Sequence, residues 1–79
     1  MDRRDDAAID AFARTLQRLR RERGLSQEEL AHRAGVSTSY VSLLETRKRQ
    51  PTLTVMLALA RELEVSLVVM AKEIESGLA

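Results

Sequence analysis

The residues able to do chemistry in this chain are few and poorly grouped. His32 is the only histidine and there is no cysteine, so a Cys-based zinc site and a thiol nucleophile are both ruled out. A lone imidazole with no second ligand of its type nearby reads as a surface or capping residue rather than a metal ligand. The acidic pairs Glu28-Glu29 and Glu62/Glu64 are explained by helix capping and solubility. Nothing suggests two carboxylates held across a cleft with separated pKa values. No nucleophile–base pair, metal cluster or phosphate-cradling loop can be assembled. The expectation is a non-enzyme with no catalytic residue, no metal, no cofactor and no small-molecule substrate.

What remains is charge and where it lies. The chain as a whole carries only +1. Residues 14–50 hold nine Arg or Lys against Glu22, Glu28, Glu29 and Glu45, a local net of +5. The flanking stretches, 1–13 and 51–79, each sum to −2. A polyanion would be met in the middle of the chain, not at its ends. Arg14, Arg18 and Arg21 fall on one outer face of the first helix, where either phosphates or solvent satisfy them.

These charges must be positioned by a small scaffold. Seventy-nine residues make one domain, 1–79, which buries about 60% of the surface its unfolded chain exposes. The chain is 44% hydrophobic and 32% charged, with Phe12 and Tyr40 the only aromatics. That composition indicates an all-α bundle rather than a sandwich or barrel. No apolar run reaches the length of a membrane span. The N-terminus is charged where a signal peptide would be apolar, so a cytoplasmic, membrane-free protein is expected.

Five helical segments are predicted. The first starts near Asp5 or Asp6, carries Ile9, Phe12, Ala13, Leu16 and Leu19 at helical spacing, and stops at Gly24. The second starts at Ser26 with a Glu29 capping box and a Leu25–Leu30 staple, and ends at Gly35. Ser37 caps the third, which sends Val41 and Leu44 inward. Its remaining positions, Thr38, Ser39, Tyr40, Ser42, Leu43 and Thr46, are poor helix formers. A weak helix between two good ones suggests a segment kept for its exposed surface. After Pro51, Thr52 caps a fourth helix whose stripe reads Leu53, Met56, Leu57, Ala60 and Leu63, with Val55 and Leu59 left outside it. Ser66 caps the fifth, which is apolar on more than one face.

Two short helices joined by a Gly-containing turn form a helix-turn-helix. Counting from Gln27, Ala31 is fifth, where a small residue lets the helices approach. Gly35 is ninth, where the turn needs positive φ. The motif core spans about 26–46. The stretch from Gly24 to Ala31, then Ala34-Gly35-Val36-Ser37, Tyr40-Val41-Ser42, Leu44-Glu45 and Pro51, resembles the Cro/C1-type (XRE) helix-turn-helix family over residues 10–70. A free-standing chain of this length resembles phage repressors and the controller proteins of restriction–modification systems. It implies a five-helix, lambda-repressor-like domain that binds double-stranded DNA as a homodimer on a palindromic operator and regulates transcription.

Matching positions carry roles over. Gln27 resembles the family glutamine that holds a phosphate at a helix N-terminus. Thr38, Ser39, Ser42 and Leu43 fall on the face that enters the major groove. Tyr40 and Lys48 match backbone-contact positions, and Arg47 and Arg49 are added as neighbours. Arg20 and Glu45 match a structural salt bridge. Two departures stand out. Arg47 occupies a position where relatives carry Gly, at a cost of about 1 kcal/mol if it is left-handed. The reading face also lacks Gln, Asn or Arg for bidentate base pairing.

The apolar excess of the last two helices, in particular Leu59, Val68 and Val69, exceeds what one buried stripe needs. A dimer interface within about 52–76 is expected from it. The alternative is a protein-interaction module of the same fold that antagonises or partners another regulator.

Overall fold

Four of the five helices begin on a hydroxyl that closes the first turn. The computed structural model describes residues 3–78, with side chains from Asp6 onward. Helix α1 spans Arg3–Glu22, α2 Gln27–Ala34, α3 Thr38–Glu45, α4 Leu53–Glu62 and α5 Leu67–Ser76. Ser26 Oγ accepts from the Glu29 amide, and Glu29 returns a bond from the Ser26 N–H at 2.9 Å. Ser37, Thr52 and Ser66 accept from Tyr40, Val55 and Val69 in the same way. Each cap satisfies a donor that the helix itself leaves unpaired. The first helix starts at Arg3, earlier than the sequence suggests.

Three connections share one design. Gly24-Leu25-Ser26, Gly35-Val36-Ser37 and Glu64-Val65-Ser66 each place a left-handed residue, an apolar plug and a cap in succession. In each, the plug's N–H reaches back to a carbonyl five residues earlier: Leu25 to Arg20, Val36 to Ala31, Val65 to Ala60. This is the Schellman closure, which lets one helix stop and the next start within three residues. At Gly35 (φ 76°) a Cβ would meet open space, so any cost of adding one is conformational. Gly35→Ala is expected to destabilise by about 1–2 kcal/mol, read as a lower thermal midpoint. An unchanged midpoint would contradict the left-handed turn.

The core is built from Phe12, Leu16 and Leu19 of α1, Leu30 and Ala31 of α2, Val41 and Leu44 of α3, Leu59, Ala60 and Leu63 around α4, and Met70 of α5. Helix α2 packs on α3 and α4, α1 on α3 and α5, and α4 on α5. This corrects the expected phase of α4. Leu59 is 0% exposed and belongs to the core, so it forms no part of a dimer surface in this fold. Leu53 and Leu57, placed inward by the stripe reading, are instead 65% and 50% exposed. With apolar residues nearly all round the helix, two overlapping stripes have the same period. Docking against α2 selects the one through Val55, Met56, Leu59, Ala60 and Leu63. Val68 and Val69 stand exposed at the start of α5. Among the described residues, no helix is long and apolar enough to cross a membrane.

Candidate nucleic-acid interface

Helix α3 is held in place by a clamp of three polar side chains. Arg20, near the end of α1, donates from Nε to Glu45 Oε2 at 2.7 Å and from Nη2 to Glu45 Oε1 at 2.9 Å. Its third nitrogen, Nη1, donates to the Leu25 carbonyl at 2.8 Å. Gln27, the first residue of α2, donates from Nε2 to Glu45 Oε1 at 3.0 Å. The amide nitrogen must face the carboxylate, since the amide oxygen would repel it. The two charged side chains are only 10% and 1% exposed. Burial pushes the Glu45 carboxyl up, but the bonds from Arg20 and Gln27 and the Arg20 charge outweigh it and hold it below the usual 4.5. The bond to Glu45 raises the Arg20 guanidinium in turn. One carboxylate at the end of α3 is thus bonded to α1 and α2, which fixes how far the helix projects.

The outer side of α3 follows from that placement. Thr38 and Ser39 are exposed, while Tyr40, Ser42 and Leu43 are half-buried. Val41, Leu44 and Glu45 occupy the inner side. Tyr40 packs against the core with part of its ring outward. The Ser42 carbonyl accepts from both the Thr46 amide at 2.9 Å and the Thr46 hydroxyl at 2.8 Å, so Thr46 closes the helix rather than extending its outer face. Gln27 is half-buried at the start of α2, with one amide hydrogen on Glu45 and a second available.

Immediately behind α3 the chain turns through Arg47 at φ 67°. The Arg47 N–H reaches the Leu44 carbonyl at 3.4 Å and the Lys48 N–H reaches that of Leu43 at 2.9 Å, another Schellman closure. A glycine would fit this site without a Cβ penalty, and an arginine stands there instead. Arg47, Lys48 and Arg49 are all exposed. The Arg47 Nε donates to Asp10 of α1, whose other oxygen accepts from Arg14 at 2.9 Å. The bond from Arg47, more than that from Arg14, holds the Asp10 carboxyl below its ordinary range. Arg18 pairs with Glu22 at 3.3 Å and Glu73 at 3.2 Å, turning it toward α5. Among the described residues, no group of three or more His, Cys, Asp or Glu is arranged to hold a metal ion.

A small helix fixed by a buried clamp, outer hydroxyls and a cation run is what a helix-turn-helix requires, and the family model for the helix-turn-helix matches residues 16–70. The chain belongs to the Cro/C1-type helix-turn-helix family. Forty-nine residues, 62% of the chain, are 51% identical to an uncharacterized HTH-type transcriptional regulator, y4dJ, of Sinorhizobium fredii. The match covers 64% of that relative, just under two-thirds of its length. The restriction–modification controller protein C.AhdI from Aeromonas hydrophila is 35% identical, with a TM-score of 0.76 over 78% of this chain and 94% of that one. A second controller protein, C.Esp1396I, solved as a tetramer in complex with its natural 35 base-pair operator, is 25% identical. It superposes with a TM-score of 0.83 over 90% of this helix-turn-helix chain and 93% of its own. The Sinorhizobium relative is thus named as a transcriptional regulator and the two structural neighbours as controller proteins.

Within this helix-turn-helix domain, sequence reasoning overlooked two features. The role of Asp10 has no local signature, because an exposed contact spanning 37 positions leaves no pattern in the sequence. Leu53 and Leu57 stand outside the core, and their i, i+4 spacing on an over-apolar helix is the sign of a second face.

Proposed function

We propose that the chain is a sequence-specific double-stranded DNA-binding transcriptional regulator that binds a palindromic operator as a homodimer. The observation that carries this reading is the clamped α3. Its Thr38, Ser39, Ser42 and Leu43 are at least partly exposed, and the exposed cation run Arg47-Lys48-Arg49 follows directly in the chain. In this reading α3 enters the major groove. Lys48, Arg49, Tyr40 and the second amide hydrogen of Gln27 meet phosphates, and Arg47 joins them when released from Asp10. A controller protein of the same fold, solved in complex with its operator, supports DNA binding. Arg20 serves as a positioning residue for α3 and not as a DNA contact. A cytoplasmic location goes with that reading.

Dimerisation rests on the exposed apolar residues of α4 and α5. Leu53, Leu57, Val68 and Val69 lie on two helices that pack on each other. Apolar surface of this kind is costly to leave in water and marks an interface. Two-fold symmetry then sets two α3 helices about one DNA turn apart.

Base recognition is distributed. The outer face presents hydroxyls, the Thr38 methyl and Leu43, and none of the side chains that make bidentate base contacts. Leu43 and the Thr38 methyl favour thymine methyl groups, and DNA deformability supplies much of the rest. Leu43→Ala is expected to relax preference at one or two symmetric positions by about 1 kcal/mol. Comparing binding to single-base operator variants checks this, and an unchanged preference would remove Leu43 from the readout.

The experiment for the reading as a whole is a duplex titration at rising salt. Affinity that falls steeply with salt, yet keeps a preferred sequence, fits phosphate contacts plus base readout. Binding that is absent or insensitive to salt would overturn the reading. The thin reading face would then favour a protein-interaction module acting on another regulator.

A further inference from the structure

Asp10 lies where the acidic start of α1 meets the cation run behind α3. Its two oxygens are taken by different guanidinium groups, one by Arg47 and the other by Arg14. The side chains of Asp10 and Arg47 are 40% and 46% exposed, so the pair is open to solvent and to an approaching ligand. Beside them runs an open cleft lined by Asp6, Ile9, Arg47, Lys48, Arg49 and Gln50. It holds three consecutive cations at the C-terminal end of α3. Left-handed backbone at Arg47, fixed by the Schellman bonds, aims this side chain back toward α1 instead of along the run.

Two magnitudes decide what such a pair does. An exposed ion pair adds little to the stability of the fold. A guanidinium on a duplex phosphate gains a comparable contact and also releases a condensed counterion, so DNA competes successfully for it. A carboxylate and a phosphate offer the same fork of acceptors to an arginine. We propose that Asp10 is an intramolecular stand-in for a DNA phosphate, occupying Arg47 in the free protein and giving it up to the DNA backbone on binding. The proposal rests on the DNA-binding reading above. Its consequence is a restrained affinity: the cation run binds DNA less tightly than its charge allows, because one of its members must first leave a partner.

The test uses the full chain as wild type, Asp10→Asn, Arg47→Ala and the double variant. The probe is a fluorescent duplex carrying the sequence that the wild type enriches from random DNA. Asp6→Asn controls for net charge, since it makes the same change one turn earlier on α1, in the same cleft but outside the Asp10–Arg47 pair. Thermal unfolding of each protein is followed alongside, so that affinities compare folded chains. Asp10→Asn is expected to bind about two- to fivefold more tightly at about 100 mM salt, the scale of one exposed pair. That gain is expected to vanish in the Arg47→Ala background and to exceed any gain from Asp6→Asn. Equal or weaker binding by Asp10→Asn would overturn the proposal, as would a gain that persists without Arg47 or is matched by Asp6→Asn. If the wild type binds no duplex, the DNA-binding reading fails and this proposal with it. A wild type that binds beside an unmoved Asp10→Asn overturns this proposal alone.

Discussion

Arg20→Ala is expected to lower stability by about 3–5 kcal/mol, because it leaves Glu45 buried and charged without the cation bonded to it. For a domain of this size that is a fall of about 15–30 °C in melting temperature. The carboxylate would keep only the Gln27 amide, and the Leu25 carbonyl would lose its donor. Removing both charges together, as Arg20→Met with Glu45→Leu, is expected to recover most of the loss, since an apolar pair of similar volume needs no desolvation. A loss below about 1 kcal/mol in the single variant would place the pair among exposed bridges and contradict the clamp. The same carboxylate sets a pH dependence. Glu45 titrates below its ordinary 4.5 in the folded chain, so the folded state binds its proton less readily than the unfolded one. Its contribution is complete above 4.5 and is lost as pH falls through the folded value. Acid unfolding that begins at higher pH in Gln27→Ala than in the wild type would fit, because one of the bonds holding that value down is gone.

Val68→Asp is expected to separate folding from assembly. Val68 is 66% exposed at the start of α5, so a charge there changes the stability of one chain by about 0.5 kcal/mol or less. On a two-fold interface the same substitution sets two carboxylates in apolar surroundings, and the dimer should not form. Sedimentation at tens of micromolar is expected to give a dimer for the wild type and a folded monomer for the variant. Operator affinity should fall about 100-fold or more, because the second half-site no longer benefits from the tethered partner. A monomeric wild type, or a variant that stays dimeric, would remove α4 and α5 from the interface.

Much of this architecture can be read directly from residue types. Ser26, Ser37, Thr52 and Ser66 each cap the helix that follows, because a hydroxyl before an apolar run has few other uses. The left-handed turn at Gly35 and the joining of Arg20 to Glu45 follow from local chemistry and from motif position respectively. The facing of α4 does not. Its residues satisfy two stripes equally, and only packing against α2 distinguishes Leu59, buried, from Leu57, exposed. Glu64 in left-handed backbone has no signature of its own type, although Glu64-Val65-Ser66 repeats the frame of the two glycine turns. The tie of Gln27 to Glu45 and the bond between Asp10 and Arg47 are tertiary facts. They join residues whose nearest neighbours in sequence say nothing about the partner.

The central claim is that α3 reads DNA as one half of a symmetric pair. The most direct test is selection of the purified chain on random duplex DNA at about 100 mM salt, followed by sequencing of the bound fraction. The account predicts an enriched inverted repeat whose half-sites lie about 10–11 base pairs apart. Bound DNA with no enriched sequence would reduce the surface to a non-specific basic patch, and enrichment of a single unpaired half-site would contradict the dimer.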